Sequence, residues 1–321
     1  MNYIDFLKGF AIFLVVLGHE LQTYYINFDQ LYLFKLIYSF HMPLFIVISG
    51  FLANKSLKSS GCSFDKCIKK KFFYLMIPFF SWYLIGLLLK NEFPLDDFFG
   101  SLYYLLTHVD TGLWYLCILY FLYILLYVAS KFNYKYIVLI IFFFIMPMTN
   151  FLGMSLLKWY LIFFIIGMLL FDQKENIAKV VHNSFGKLMY VIPFLFVPSL
   201  YYWEREFETS SIFYNHYYLY GYKFLVAILG IISVFLLTRE LFKLPYVNNM
   251  FNFFGKNSMK IYILNFVIIG FVHKYSSIDY QLLLLFIYAF LICYFIVWIT
   301  TLLTKIKIFK ILFGENQRIN N

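Results

Sequence analysis

The sequence predicts an all-α protein, a polytopic membrane bundle of about ten transmembrane helices with both termini in the cytoplasm. Hydrophobic residues make up 63% of its 321 residues and charged residues only 13%, whereas soluble domains carry nearly twice as much charge. Mean hydropathy is +0.78. Apolar runs follow one another along almost the whole chain, and each is near the length that a helix needs to cross a bilayer.

The apolar runs define the individual membrane spans. Each run is bounded by polar or charged residues, and a helix of about 20 residues covers the hydrocarbon core. We predict spans at 8–26, 36–53, 72–89, 113–130, 136–150, 155–171, 187–203, 219–238, 258–273 and 280–304.

Charge in the loops sets the predicted orientation. The stretch 54–71 holds six lysines against one acidic residue, and loops rich in Lys and Arg stay in the cytoplasm. Segments 90–112 and 203–218 are acidic, which is consistent with the opposite side. Both ends are therefore predicted inside. We expect one membrane domain at 1–304 and a short cytoplasmic tail at 305–321.

Composition also argues against several function classes. The formal charge of +10 comes from lysines in short loops, which topology explains better than nucleic-acid binding does. The four cysteines form no CxxC pair and the histidines do not cluster, so we expect free thiols and no metal site. The first apolar run lacks a basic flank and a small-residue cleavage site, and we interpret it as a membrane helix.

The stretch YIDFLKGFAIFLVVLGHE at 3–20 keeps ionisable residues in an apolar run. At about 100° per residue, Asp5, Lys8 and His19 fall on one helix face, which extends about 16 Å from Lys8 to His19. Glu20 points about 100° away from this face, and we expect it to have another partner.

A second histidine follows in FHMPLFIVISGFL at 40–52. We expect His41 about five residues inside an antiparallel helix, at a depth similar to that of His19, so that the two rings converge. Ser49 and Gly50 allow a neighbouring helix to approach closely. Ionisable groups at this depth normally mark a functional site. The alternative is that the polar groups join helices and that Lys8 snorkels.

These two stretches resemble the opening of the acyltransferase 3 family of integral-membrane O-acyltransferases, in particular its branch resembling fucose 4-O-acetylases. Lys8 and His19 have the spacing of the family signature, a basic residue followed after ten residues by His. The resemblance continues through LMIPFFSW at 75–82, TGLWYL at 111–116 and FGKNSMKIYILN at 254–265.

The resemblance implies an enzyme that transfers an acyl group, usually acetyl from acetyl-CoA, to a sugar hydroxyl of a surface polysaccharide or its lipid-linked precursor. It assigns His19 as the catalytic histidine, Lys8 as the basic member of the motif and His41 as the histidine of the second helix. Three positions depart from the family pattern. Lys8 replaces the usual Arg, Tyr74 stands at the second position of a common Arg-x-x-Arg, and Asn265 replaces a frequent His.

Acyl transfer from a thioester needs a base for the hydroxyl proton and donors for the oxyanion. We expect His19 to be the base, with its other ring nitrogen oriented by His41, Glu20 or Ser49. Direct transfer and a covalent acyl relay are both open at this stage.

Coenzyme A is polyanionic and cytoplasmic, so its phosphates should meet lysines at the inner face. The predicted donor-binding residues are Lys69, Lys70, Lys71, Lys256, Asn257 and Ser258. Lys8 is a further candidate. The alternative role of Asn257 and Ser258 is to cap a helix.

Trp114 and Tyr115 begin the fourth predicted span, as interfacial anchors or as a stacking platform for the acceptor sugar. We assign them to acceptor binding together with Asn265. The expected partners are acetyl-CoA as substrate, a glycan or lipid-linked sugar and membrane lipid, with no bound cofactor, metal or nucleic acid. The expected location is the inner (cytoplasmic) cell membrane.

A transporter or flippase for a lipid-linked glycan is the main rival function, since polar residues within a helical bundle also suit a transport pathway. Such proteins are often built from inverted repeats or paired broken helices, and the two halves of this chain show no convincing similarity. A glycan polymerase and a structural scaffold fit the sequence less well.

Overall fold

The computed structural model describes residues 3–59, 64–89, 100, 103–105, 113–147, 153–175, 189–205, 217–275 and 282–315, and all regular structure within these ranges is helical. The α-helices are α1 (Tyr3–Tyr24), α2 (Tyr32–Tyr38), α3 (His41–Ser59), α4 (Phe64–Lys71), α5 (Ile77–Leu89), α6 (Trp114–Ala129), α7 (Lys135–Ile145), α8 (Met154–Asp172), α9 (Ile192–Ser199), α10 (Tyr217–Leu241), α11 (Pro245–Lys256), α12 (Ser258–Tyr275), α13 (Leu282–Leu303) and α14 (Lys307–Leu312). Single turns of 3-10 helix lie at Phe28–Gln30 and Met189–Val191, and a π-helical turn lies at Phe72–Met76.

Contacts divide the chain into two compact units. The first comprises Met1–Ile48, Gln173–Phe207 and Ser211–Thr301, and the second comprises Ser49–Asp172, Glu208–Ser210 and Leu302–Asn321. The boundary falls within α3, so His41 belongs to the first unit and Ser49 to the second.

Helix α1 forms the centre of the first unit. Its residues from Phe6 to Gly18 are buried on almost every face, apart from Lys8. The helix packs along α11 and α12. An apolar helix that is buried all round is typical of a bundle core.

Two glycines set the closest approach of α1 and α11. A Cβ atom added at Gly9 would overlap the backbone carbonyl of Phe251, and one added at Gly255 would overlap the backbone carbonyl of Asp5. Any side chain larger than hydrogen would push the two backbones apart.

Proline divides the predicted second span into two helices. Helix α2 ends at Tyr38, and α3 begins at His41 after a turn. Pro43 has no N–H for the carbonyl of Ser39, and its ring crowds that carbonyl, so a continuous helix is disfavoured here. His41 is therefore the first residue of its helix, and our expectation that it lies five residues inside is wrong.

In the second unit, α3 packs closely on α8. A Cβ atom at Gly50 would overlap the carbonyl of Phe164, which confirms the predicted close approach. Asn54 is buried and donates through Nδ2 to the Met168 carbonyl at 2.9 Å.

A charged cluster closes the end of α8. Lys58 Nζ lies 2.7 Å and Lys135 Nζ 3.6 Å from carboxylate oxygens of Asp172, and the Tyr136 hydroxyl donates to the same carboxylate. Lys135 also donates to Asn54 at 2.9 Å. Two cations around one carboxylate link α3, α7 and α8.

Several helical stretches are long and apolar enough to cross a membrane. Among the described residues there are five: Tyr32–Ser59, which joins α2 and α3, Asp65–Leu88, which joins α4, the π-helical turn and α5, and the single helices at Met154–Asp172, Tyr218–Leu241 and Leu282–Leu303. Shorter apolar helices cover Trp114–Ala129, Lys135–Ile145 and Ser258–Val272. The helical membrane class is supported, while the count of ten spans and the cytoplasmic termini stay predictions.

The predicted span at 187–203 is not one continuous helix in its described part. It contains a 3-10 turn at Met189–Val191 and an eight-residue helix, α9, which ends at Ser199. Eight residues extend only about 12 Å, which is too short to cross. Pro198 lies in the last turn of α9, and the chain turns after it.

The glycine contact between α1 and α11 can be tested directly. Gly255→Val should destabilise the protein by about 3 kcal/mol, because a side chain is forced into a backbone contact. Thermal unfolding of the purified protein in detergent measures the change.

Gly86→Val is a suitable control, since no atom lies within 4 Å of a Cβ built at Gly86. Equal stability of the two variants would show that α1 and α11 do not depend on this contact.

Candidate active site

The predicted site residues are divided between the two units. The first unit holds Asp5, Lys8, His19, His41, Lys256, Asn257, Ser258 and Asn265. The second unit holds Ser49, Lys69, Lys70, Lys71, Trp114 and Tyr115.

His19 and His41 flank the same aromatic ring. The Tyr38 ring centroid lies 4.7 Å from that of His41 and 6.4 Å from that of His19, in edge-on arrangements. His41 is buried, with 5% of its surface exposed, and His19 is partly buried. The predicted convergence of the two rings is therefore present, and Tyr38 mediates it.

His19 is held through Nδ1. The Gln22 amide lies 3.1 Å and the Tyr38 hydroxyl 3.2 Å from this atom. The Phe266 ring packs against the imidazole, with 4.3 Å between centroids. These contacts come from α1, α2 and α12, so three helices fix the orientation of the ring.

The Gln22 amide is oriented by Arg205. A guanidinium offers only donors, so the amide oxygen faces Arg205, and it accepts from Nη1 at 2.6 Å and from Nη2 at 3.2 Å. The amide nitrogen then donates to Nδ1 of His19 at 3.1 Å and to the Tyr38 hydroxyl at 2.7 Å.

The Arg205 backbone is held in turn by a lysine of α10. Buried Lys223 donates through Nζ to the Arg205 carbonyl at 3.1 Å. The Arg205 guanidinium also lies 5.7 Å from the ring centroids of Phe28 and Tyr38. These contacts hold a positive charge beside the histidine network.

His41 has a different partner. Its Nδ1 lies 2.8 Å from the carbonyl oxygen of Ile37. The helix break before Pro43 makes this contact possible, because His41 is the first residue of α3 and its ring can reach back to α2.

The other predicted motif residues of α1 lie apart from His19. Lys8 Nζ forms an ion pair with Asp5 Oδ1 at 2.7 Å, about three turns below the histidine. Glu20 is buried, and its Oε1 has no hydrogen-bond partner in the described part of the chain. The expected partner of Glu20 is thus not found for that oxygen.

Asn265 lies in α12 next to Phe266. It is 1% exposed, and its Nδ2 donates to the carbonyls of Ile261 and Tyr262. Oδ1 is buried and has no hydrogen-bond partner among the described residues. This oxygen is free to accept from a hydroxyl.

The predicted donor-binding residues near 256 surround the junction of two helices. Lys256 is exposed at the end of α11, and Ser258 begins α12. Asn257 donates through Nδ2 to the Phe253 carbonyl at 2.9 Å. Asn257 therefore caps the end of α11.

In the second unit, Ser49 and Tyr115 come together. Ser49 Oγ lies 2.8 Å from the Tyr115 hydroxyl, so α3 and α6 share a partly buried polar contact. Trp114 begins α6 as predicted, and its ring stacks on Tyr160 with 5.1 Å between centroids.

Among the three lysines of α4 that were predicted to bind the donor, only Lys71 is partly buried, whereas Lys69 and Lys70 are exposed. The Lys71 ammonium lies 3.9 Å from the Tyr123 ring centroid. The π-helical turn begins directly after Lys71, and such turns are frequent at functional sites.

One prediction about the cysteines is wrong. Cys67 is disulfide-bonded, so our expectation of free thiols is wrong for this residue, whereas Cys117 and Cys293 are free. Spacing along the sequence alone did not reveal this pairing. Cys62 lies outside the described residues. The described part of the chain contains no group of three or more His, Cys, Asp or Glu residues that could hold a metal ion.

Comparison with known proteins agrees with these features. The model of the acyltransferase 3 family, which is described as an acyltransferase domain, matches residues 1–304 of this chain. The chain belongs to this family.

Curated relatives include two proteins named nodulation protein NolL. That of Mesorhizobium japonicum is 35% identical over 135 residues, which are 40% of this chain and 36% of the relative. That of Sinorhizobium fredii is 46% identical over 82 residues, which are 24% of this chain and 22% of the relative. The matches thus cover about a third or less of these relatives. No solved structure matches the chain.

Three residues around the histidines of this acyltransferase 3 member were not predicted: Gln22, Tyr38 and Arg205. Two of them had a signal, because Gln22 follows His19 by three residues and Tyr38 precedes His41 by three, a spacing at which helical side chains meet. Arg205 had no signal, since it lies in an acidic segment far along the chain.

The Ser49–Tyr115 hydrogen bond should contribute measurably to stability. Ser49→Ala and Tyr115→Phe should each lower the free energy of unfolding by about 1 kcal/mol, and the double variant should lose little more than one of them. Thermal unfolding in detergent measures the change, and Ser59→Ala on the same helix provides the control, since Ser59 is exposed. Fully additive losses would show that the two hydroxyls do not interact.

Proposed function

We propose that this protein is a membrane O-acyltransferase that transfers an acetyl group from acetyl-CoA to a sugar hydroxyl of a surface polysaccharide or its lipid-linked precursor. The observation that carries this proposal is the family match over 1–304 together with two imidazoles that share Tyr38. Polar rings in an apolar bundle are costly without a function.

The geometry around the histidines supports acyl transfer. His19 and His41 are both held through Nδ1, so Nε2 is the nitrogen that each ring offers to a substrate. One imidazole can accept the hydroxyl proton, and a second can donate to the carbonyl oxygen. The Arg205 charge next to this pair favours the negative charge that develops during the reaction.

Donor binding is proposed for the lysine-rich segment of the second unit. Lys69 and Lys70 are exposed, and Lys71 holds its ammonium over Tyr123. These cations suit the phosphates of coenzyme A. Lys256 is an exposed further candidate. Lys8 is a weaker candidate for donor binding, because its charge is already paired with Asp5.

Acceptor binding is proposed for aromatic and amide groups. Trp114 and Tyr115 can stack against a sugar ring, and the free Oδ1 of Asn265 can accept from a hydroxyl. We place the enzyme in the inner cell membrane with both termini in the cytoplasm, following the loop charges.

The proposed activity predicts a change in the host's surface glycan. A deletion strain should lose O-acetyl groups, and the wild-type gene should restore them, whereas His19→Ala or His41→Ala should restore less than about 1% of the wild-type level. Proton NMR of the purified glycan measures O-acetyl content at matched membrane expression.

Gln30→Ala serves as the expression-matched control, because Gln30 is exposed and outside the histidine network. Unchanged acetylation in the deletion strain, combined with lost glycan export, would show that the protein is a transporter and not an acyltransferase.

The role proposed for Lys71 predicts a donor-specific effect. Lys71→Met should raise KM for acetyl-CoA by about tenfold, because one charge-assisted contact to phosphate is worth about 1.5 kcal/mol or more. Lys66→Met is the matched control, since Lys66 is exposed on the same helix. Initial rates in washed membranes with labelled acetyl-CoA measure both. Equal KM values in the two variants would remove Lys71 from the donor site.

A further inference from the structure

The two histidines are held by partners of opposite hydrogen-bonding character. This contrast decides where each neutral ring carries its proton, because a neutral imidazole has one donor nitrogen and one acceptor nitrogen. The inference below deepens the proposed acyl transfer and rests on it.

For His41 the partner is an acceptor. The Ile37 carbonyl oxygen cannot donate, so Nδ1 of His41 carries the hydrogen and donates it at 2.8 Å. Nε2 of the neutral ring therefore bears the lone pair. Because Nδ1 is engaged by Ile37, Nε2 is the nitrogen that the ring can offer to a substrate.

For His19 the partners are donors. Arg205 occupies the Gln22 oxygen, which turns the amide N–H toward Nδ1 of His19 at 3.1 Å. The Tyr38 hydroxyl, 3.2 Å away, can donate to the same nitrogen. Nδ1 of His19 is therefore the acceptor, and the hydrogen of the neutral ring is on Nε2.

We infer that the two histidines have distinct catalytic roles: Nε2 of His41 is the general base, and the Nε2–H of His19 donates to the carbonyl oxygen of the thioester. Gln22 and Arg205 are positioning residues that keep His19 in its donor form. The sequence suggests His19 as the base, and this assignment gives that role to His41 instead.

The chemical step follows from these proton positions. The acceptor hydroxyl gives its proton to Nε2 of His41 while its oxygen bonds to the thioester carbonyl carbon. The carbonyl oxygen becomes negative and accepts from the Nε2–H of His19. The C–S bond then breaks, and the thiolate takes the proton from His41, so that the ester, the free thiol and a neutral ring result.

The position of Arg205 supports this division. Its fixed positive charge lies one amide group away from His19. A base gains a positive charge when it takes a proton, and a nearby cation opposes that gain. The same cation stabilises an oxyanion bound at His19. The charge also acts on His41 across the Tyr38 ring, which lies 5.7 Å from Arg205 and 4.7 Å from the His41 ring, so Arg205 supports the donor role of His19 while the hydrogen-bond partners at Nδ1 decide between the two rings.

Amide substitutions distinguish the two roles. In His19→Gln, the amide nitrogen stands near the position of Nε2 and can replace the donor, so the rate should stay above about a tenth of wild type. In His41→Asn, the amide can still donate to Ile37 but cannot act as a base, so the rate should fall more than about 100-fold. Transfer of labelled acetyl from saturating acetyl-CoA to glycan in host membranes measures both.

Gln22→Glu provides the converse test. A carboxylate accepts hydrogen bonds, so it would draw the His19 proton to Nδ1 and remove the Nε2–H, while the contact to Arg205 is kept. The rate should fall by about 100-fold. The control is Gln30→Glu, the same change at an exposed position. If His19 were the base, Gln22→Glu would keep or raise the rate, and this result would overturn the inference.

The proton positions can also be read without activity. Nitrogen-15 NMR of the full-length protein in bilayers, labelled at histidine, should show His41 protonated at Nδ1 and His19 protonated at Nε2. The His19→Gln and His41→Asn variants assign the two signals. The opposite pattern for either ring would overturn the inference.

These experiments distinguish failure of the proposed function from failure of the base assignment. A wild-type protein that transfers no acetyl group in any membrane fraction contradicts the proposed function itself. An active wild type with an equally active His41→Asn variant contradicts only the assignment of the base.

Discussion

The close contact of α1 with α11 is the constraint on which the first unit depends. Gly9 and Gly255 let the two backbones meet without intervening side chains. This contact fixes α1 along its length, and α1 carries both His19 and Gln22. In an apolar solvent, helices gain little from burying apolar side chains, so close backbone packing and polar contacts must hold the bundle together. The geometry of the histidine network is thus inherited from glycine positions near the opposite end of the helix.

Pro43 adds the second constraint. It ends α2 and restarts the chain as α3, which places Tyr38 and His41 on either side of a turn. In a continuous helix, the Ile37 carbonyl would accept from the backbone N–H of His41; at the break, it accepts from the His41 ring instead. Because of this proline, the His41 ring donates to the free carbonyl at the end of α2, and Nε2 is the ring nitrogen that remains for a substrate.

The helical membrane class, the pairing of His19 with His41 and the close approach at Gly50 could be predicted from the sequence, because they depend on hydropathy, helical spacing and residue size. The start of α3 at His41 could not, since the effect of a proline on the preceding turn is local geometry that hydropathy does not report. The interruption at 187–203 has the same origin, with Pro198 in α9. The orientation of the Gln22 amide depends on Arg205, which is more than 180 residues away, and no short-range pattern in the sequence connects the two residues. Lys8 shows the reverse case: its spacing from His19 is visible in the sequence, but its charge is paired with Asp5.

The choice of glutamine at position 22 follows from the same electrostatics. A carboxylate there would pair more strongly with Arg205 than an amide does. It would also accept a hydrogen bond from the Nδ1–H of the imidazole and orient the ring as a base, as the acidic member of a hydrolase triad does. An amide does the opposite when a guanidinium holds its oxygen, because only its N–H groups remain for the histidine. His41 needs no such partner, since a backbone carbonyl, which cannot change its protonation, already holds its Nδ1. The acidic and basic functions of the pair are therefore set by one side-chain amide and one backbone carbonyl, neither of which changes its protonation as the reaction proceeds.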